Sequence, residues 1–385
     1  MKKKSEIILA HRNHKRRWCN VLSEAFKKRA DKAKEILHKK GIDGLLLFPG
    51  VEIFYLTGFK IGLSERPSAA LIPFNDEPVF VVPELEAELR GQKPWIRQVV
   101  TWKEEEDALK LLAETLRSKG LSKAKIGVCE TSPWGWVKML EKNLPTAQFV
   151  DVSEAVNSLR MVKSVEELDC IKKACEITDK ALRKALQNLR EGLTEIELNS
   201  IISDEMENLG GKIQFGIVLF GERAALPHGT LSDRKLKRGN VILVDTGSSF
   251  KDYYSDITRT VVFGKPTERQ RRIWDIVLKA NRAAFDAIET GTTCEEADKV
   301  ARKVVSDAGF GEYFIHRLGH GIGLQGHEHP YLVGGNKLRL EAGMTFSIEP
   351  GIYIVGEIGV RTEDTALCTK SGCESLTHLE RSIEA

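Results

Sequence analysis

Two rhythms of apolar and polar positions run along this chain, and the change between them divides it. Up to residue 155 short apolar runs, GIDGLLLFPG, SAALIPF, EPVFVVP, KIGVCE and AQFVDV, are separated by charged or helix-period stretches such as Trp102 to Lys119. Brief continuous apolar runs closed by Gly or Pro are the pattern of buried strands. Together with helical spacing over residues 20–40 they predict an α/β domain over residues 1–155. From Ser164 the punctuation changes. Four times a Ser or Thr is followed three residues later by Glu or Gln, at Ser164 with Glu167, Thr194 with Glu197, Thr267 with Gln270 and Thr293 with Glu296. In this capping box the two side chains satisfy each other's backbone N–H groups, which predicts four helix starts. Each helix is expected to end in a left-handed glycine cap, at Gly192, Gly210, Gly291 and Gly309.

Laid end to end, residues 156–385 read helix, helix, strands, and then helix, helix, strands again, with the domain boundary near Val156 to Met161. This predicts an α+β domain built by internal duplication, with pseudo-twofold symmetry. Each half contains a turn flanked by acids. In VILVDTGSSFKDYYSDITRTVV the midpoint between Asp245 and Asp256 falls at Phe250 and Lys251, so a symmetric hairpin sets the two aspartates opposite each other. In FSIEPGIYIVGEIGVRTEDTALC, Glu349 and Glu363 flank Gly356. Facing carboxylates repel, so an apolar strand that ends in one calls for a cation or a shared proton between them. Each half also carries a His-Gly pair upstream of its acids, His228-Gly229 and His320-Gly321.

Four carboxylates and an imidazole meet the demand of a dinuclear site for hard or borderline divalent ions, which can activate water and polarise a substrate carbonyl. Four of the nine histidines fall in HRLGHGIGLQGHEHP. His320, bracketed by glycines that permit close backbone approach, is the expected ligand; His228 and His327 suit substrate contacts. His316 and His320 have helical i, i+4 spacing, but Gly319 and Gly321 argue against a helix and so against a zinc-peptidase helix. Side chains two apart on a strand share a face, which sets Arg361 beside Glu363 and Thr365, and groups Asp256 with Thr258 and Thr260. There Arg361 could orient ligands, neutralise substrate charge or form a plain ion pair. Phosphate-binding loops, nucleophile elbows and dinucleotide fingerprints are absent.

With 42% apolar and 29% charged residues, the chain can bury a large core and is neither disordered nor fibrous. The net charge of +3 hides a basic start, since residues 1–40 hold 14 Lys plus Arg against 4 Asp plus Glu. No nucleic-acid motif accompanies that run, so no nucleic-acid partner is expected. The MKKK start has too short an apolar sequel for a signal peptide, and no apolar run is long enough to span a membrane. Seven cysteines without a C-x-x-C pair fit reduced thiols and a cytoplasmic location.

VDTG, SDITRT, GHGIGL, SIEPGIY and RTEDT, in this order and spacing, resemble the pita-bread metallopeptidases, in particular the Xaa-Pro branch of aminopeptidase P and prolidase. The resemblance covers residues 156–370 in motif detail and the whole chain in layout. It implies a creatinase-like domain over 1–155 that shapes the cleft, commonly across a homodimer, and a catalytic domain over 156–385. It implies two divalent ions (Mn, Co or Zn) held by Asp245, Asp256, His320, Glu349 and Glu363, with Asp256 and Glu363 bridging. By the same resemblance His228 and His327 flank the scissile bond of a peptide substrate, Glu349 transfers a proton and Arg361 supports the site. Hydrolysis before proline, in dipeptides or at peptide N-termini, is implied by the resemblance alone. The chain departs from it at Tyr331, where some dipeptidases carry an arginine for a free substrate carboxylate. A second departure is Asp252, where glycine is frequent. Arg66 could supply a cation instead but reads as a surface residue. Other readings of the scaffold are a creatinase-like hydrolase, a metal-dependent lyase, or a binding protein without activity.

Overall fold

In the computed structural model, which describes residues 24–88 and 94–385, each of the five apolar runs named above contains a strand of one sheet. A helix over residues 24–38 (α1) leads to β1 (Gly44–Leu47), α2 (Val51–Thr57), β2 (Ala69–Pro73), β3 (Val79–Pro83) and β4 (Gln98–Trp102). α3 (Ala108–Ser118), β5 (Lys125–Val128), α4 (Trp134–Asn143), β6 (Gln148–Asp151) and α5 (Ser153–Met161) complete the unit, and the next compact unit begins at Met161. The order is β4-β3-β2-β1-β5-β6, with β1, β5 and β6 parallel and β2 antiparallel to both its neighbours. GLLL of β1 and VFVVP of β3 are buried at every position, which is why they read as unbroken apolar runs. The strand pattern hid α2, whose VEIFYLT is apolar at strand length; it closes on Gly58 at φ 75°. The basic residues 1–23, including Cys19, lie outside the described residues, and the other six cysteines are free. No helix among the described residues is long and apolar enough to cross a membrane.

In the second unit α6 (Val165–Gln187) and α7 (Glu195–Asn208) precede β7 (Lys212–Phe220), β8 (Val241–Phe250), β9 (Tyr253–Tyr254) and β10 (Ile257–Val262). α8 (Glu268–Ala287) and α9 (Cys294–Asp307) precede β11 (Gly319–Gly321), β12 (Glu328–Leu332), β13 (Thr345–Ile348), β14 (Gly351–Ile354), β15 (Ile358–Arg361), β16 (Glu363–Thr369) and β17 (Gly372–Ser375). All four capping boxes form with both reciprocal bonds. Two of the four glycine caps do not. Gly210 and Gly309 follow α7 and α9 at φ 82° and 86°, but α6 and α8 stop short of Gly192 and Gly291. Those two glycines, at φ 84° and 98°, donate their N–H groups to Leu236 O (2.9 Å) and Leu340 O (2.8 Å). They turn the chain into a strand-like contact after the helix has ended.

That contact shows the duplication bond by bond. Thr194 bridges Lys235 as Thr293 bridges Arg339, and Leu236 N donates to Leu193 O as Leu340 N donates to Thr292 O. The sheet runs β12-β11-β13-β16-β10-β8-β7, so one strand from each half meets at its centre, Thr258 facing Glu363 and Ile257 facing Asp364. VILV of β8 is buried on both faces: Val241 and Leu243 enter the core that holds α8 and α9, Ile242 and Val244 the core that holds α6 and α7.

The first acidic hairpin is offset from its expected register. Asp245 pairs with Thr258, not Asp256, and Phe250 pairs with Tyr253, so the turn is Lys251-Asp252. Both turn residues are left-handed, at φ 49° and 70°, the primed geometry that matches the twist of a two-residue hairpin. The offset sets a hydroxyl where a like charge would repel Asp245. The second hairpin turns at Gly356 with Ile354 facing Ile358, and β13 with β16 resumes the same register, Ile348 facing Asp364. Glu349 and Glu363 occupy the break between those two ladders.

Candidate metal centre

Strands from both halves converge on one carboxylate cluster. Asp245 comes from β8, Asp256 from the entry to β10, Glu349 from the exit of β13 and Glu363 from the first position of β16. His320 comes from β11, and its seat depends on having no side chain on either side. A Cβ on Gly319 would lie 1.9 Å from Ser347 O, and one on Gly321 2.2 Å from His329 O. His320 N donates to Ser347 Oγ (3.0 Å), which donates to Glu349 Oε1 (3.0 Å). His320 Nε2 lies 3.1 Å from Glu349 Oε1 and 3.8 Å from Asp256 Oδ2. Donor atoms of Asp245, Asp256 and Glu363 lie within 4.8 Å of one another, as do those of His320, Glu349 and Glu363, and those of Asp256, His320 and His327.

The protein leaves part of this cluster unsatisfied. Asp245 Oδ1, Asp256 Oδ1 and Glu363 Oε1 are buried oxygens without a hydrogen-bond partner. Burial, and then the neighbouring carboxylates, push Asp256 and Glu363 well above the usual acid range. Burial also raises Asp245, although Arg361 opposes it. Glu349 is held at about 2, because its bond to His320 and the charges of His320, His316 and Arg361 outweigh its burial. Orphaned buried carboxylate oxygens are costly in a native fold, and oxygen donors this close are what a hard divalent cation takes. The donor set therefore fits divalent metal.

A polar chain runs outward from the acids. Arg361 donates from Nη2 to Asp245 Oδ2 (2.5 Å), from Nε to Thr258 Oγ1 (2.9 Å) and from Nη1 to the Tyr353 hydroxyl (2.7 Å). Thr258 Oγ1 in turn donates to Glu363 Oε2 (2.6 Å). His316 Nδ1 donates to Arg317 O (2.7 Å), which leaves Nε2 to accept from the Tyr353 hydroxyl (2.9 Å). Burial would lower the Arg361 pKa, but Tyr353 and the surrounding carboxylates overcome this and keep the guanidinium charged. On the far side of β10, Arg259 bonds Glu363 O (2.6 Å) and Asp364 Oδ1 (2.7 Å), tying the two central strands together. Thr258, Tyr353, His316 and Ser347 had no assigned role in the sequence. Only Thr258 gave a signal, through its shared strand face with Asp256.

His327 and His228 differ from the acids in being exposed. The His327 ring centroid is 3.7 Å from that of His320, and Arg317 Nη2 donates to His327 Nδ1 (3.3 Å). An accepting Nδ1 leaves the ring proton on Nε2, so His327 is a donor toward the site. Burial and then His320 lower its pKa to about 4. His228 lies in a turn after β7, exposed and outside the 4.8 Å groups. Arg66, in the first unit, is bound to Glu104 at the surface (2.6 Å).

The sequence matches metallopeptidase family M24 over residues 169–370 and the creatinase/prolidase N-terminal domain over residues 29–162. An uncharacterized peptidase of Staphylococcus epidermidis is 37% identical over 350 residues, 90% of this chain and 98% of its own. A Pyrococcus furiosus protein named Xaa-Pro dipeptidase is 36% identical over 359 residues, 93% of this chain and 99% of its own. The crystal structure of a prolidase from Thermococcus sibiricus superposes with a TM-score of 0.88 at 34% identity, covering 93% of this chain and 98% of that one. The chain belongs to metallopeptidase family M24. The fold of this M24 enzyme is accordingly the pita-bread catalytic domain with a creatinase-type domain before it. M24 membership and the orphaned carboxylates point to the same cofactor class, divalent metal.

Proposed function

We propose that this M24 enzyme hydrolyses the peptide bond that precedes proline, in dipeptides or at the N-terminus of short peptides. Two divalent ions (Mn, Co or Zn) would be held by Asp245, Asp256, His320, Glu349 and Glu363. The observation that carries this reading is the buried set of unpartnered oxygens on Asp245, Asp256 and Glu363. Similarity to a named Xaa-Pro dipeptidase and to a prolidase supports the substrate class.

When bound, such ions act as Lewis acids that activate water and polarise a carbonyl. The chain's own residues do the rest. His327, with its proton on Nε2, donates to the substrate carbonyl, and His228 is proposed to contact the substrate on the other side of the scissile bond. Glu349, held ionised, takes a proton at its carboxylate and delivers it to the leaving nitrogen. Arg361 and Thr258 hold Asp245 and Glu363 in place. The enzyme is further proposed to be a cytoplasmic homodimer, with no nucleic-acid or membrane partner.

Purified protein assayed on Xaa-Pro, Xaa-Pro-Xaa and Xaa-Ala peptides, before and after chelation, tests the reading. Cleavage before proline that chelation abolishes and Mn²⁺ or Co²⁺ restores is the expected result. Equal cleavage of Xaa-Ala, or full activity without metal, contradicts it.

A further inference from the structure

The stretch WDIVLKANRAAF sets an asparagine on the apolar face of α8, although asparagine is a poor helix former and a buried amide must find partners. Asn281 is fully buried, on the same helix face as Val277 and Ala284. Its Nδ2 donates to two backbone carbonyls, Ile348 O (3.0 Å) and Thr362 O (3.4 Å). Those residues immediately precede Glu349 and Glu363. Both carbonyls stand where the ladder of β13 with β16 gives way to that of β14 with β15. Ile348 faces Asp364 and Gly351 faces Arg361, so the continued register sets Pro350 opposite Thr362. Facing residues of an antiparallel ladder can exchange two bonds. Thr362 N donates to Pro350 O (3.4 Å), but proline has no N–H to return. The buried Thr362 carbonyl is left needing a donor, and Asn281 supplies it from the helix.

We infer that Asn281 is a positioning residue: one amide, bonded to the chain just before Glu349 and just before Glu363, fixes how far apart those carboxylates stand and thereby the affinity of the site for divalent metal. The inference rests on the proposed ligation by these two acids. Two observations favour it over simple packing. Asn281 Oδ1 is buried without a hydrogen-bond partner among the described residues, a cost that an apolar side chain of the same size would avoid. The amide also acts where Pro350 leaves the ladder incomplete, which is where a second tie changes the spacing of the acids most.

Calorimetric titration of the metal-free protein with Mn²⁺, taken beside the Tm of the same samples, tests the role. Asn281→Leu keeps the volume and removes the donors, and its Kd for Mn²⁺ is expected to rise about 10- to 100-fold, as for other groups that orient a ligand. Asn281→Ala removes the same donors without adding atoms and is expected to show the same rise, so the comparison does not depend on leucine being accommodated. Adding Pro350→Ala to Asn281→Leu restores an N–H opposite Thr362 O and is expected to recover part of the lost affinity. Val277→Ala, one turn earlier on α8 and in the core of the same unit, lowers Tm through a cavity and is expected to leave Kd unchanged. A wild-type Kd in both Asn281→Leu and Asn281→Ala, or an equal rise in Val277→Ala, overturns the positioning role and leaves metal-dependent hydrolysis intact. A wild-type protein that takes up no Mn²⁺ removes the proposed ligand set and this inference together.

Discussion

Thr258 is the smallest group in the polar chain and the one on which most of it turns. Its hydroxyl accepts from Arg361 and donates to Glu363, so one atom sets the direction of both. Thr258→Val keeps the shape and removes that link; about a 10- to 100-fold loss of metal affinity or kcat is expected, as for other groups that orient a ligand. Thr258→Ser should recover most of it, and kcat with metal titration on the three proteins is the check. His316 has a different signature. Burial lowers its pKa, with Arg361 and Arg302 adding to the effect against Glu349. Below the ordinary imidazole value of about 6.5 the unfolded chain takes up a proton that the folded one refuses, so stability falls as pH drops through that range. His316→Gln should flatten the fall between pH 7 and 5 in denaturant unfolding; identical slopes would deny His316 its place in the fold's proton balance. The acids and His320 were legible because a carboxylate at the end of an apolar strand, or a histidine between glycines, is odd on its face. Thr258 showed only its shared strand face with Asp256, and Tyr353 and His316 showed no role, since the bonds that give them one join residues far apart in the chain.

At the scale of elements, helix starts were readable and helix ends less so. A capping box is a local exchange of two bonds, complete within four residues. A left-handed glycine serves equally as a cap or as a bend into a distant strand, and only Leu236 and Leu340 decide which. The hairpin register failed for a related reason. Symmetry about the acids located the turn within one residue, but two left-handed residues, Lys251 and Asp252, moved the pairing by two. The duplication makes a paired test possible. Gly192 and Gly291 have open space around a would-be Cβ, so alanine there meets only backbone strain. Each substitution should cost about 1–2 kcal/mol, lowering Tm by about 2–4 °C per kcal/mol for a domain of this size. The two losses should be similar; calorimetry showing one neutral and the other large would break the equivalence of the halves.

For the whole molecule, the first unit contributes an α/β sheet and the second a duplicated sheet in which β8, β10, β13 and β16 bring the acids close to where the halves meet. The fold class and the repeat were visible in the order of helices and strands. The expectation of two ions came from the donor count, four carboxylates and an imidazole, and it is a proposal that metal counting tests. Ions that bind only the folded site also stabilise it, by about 2.7 kcal/mol at a free concentration one hundred times Kd. Chelation should therefore lower Tm in wild type, and lower it far less in Glu363→Gln. The most direct measurement is the number of metal ions bound per chain at saturating Mn²⁺, taken beside Xaa-Pro hydrolysis, for wild type, Asp256→Asn and Glu363→Gln. Two ions with activity in wild type, and loss of both ions' full occupancy and of hydrolysis in either variant, is the expected result. Full metal content and full hydrolysis in those variants would contradict a site built on these carboxylates.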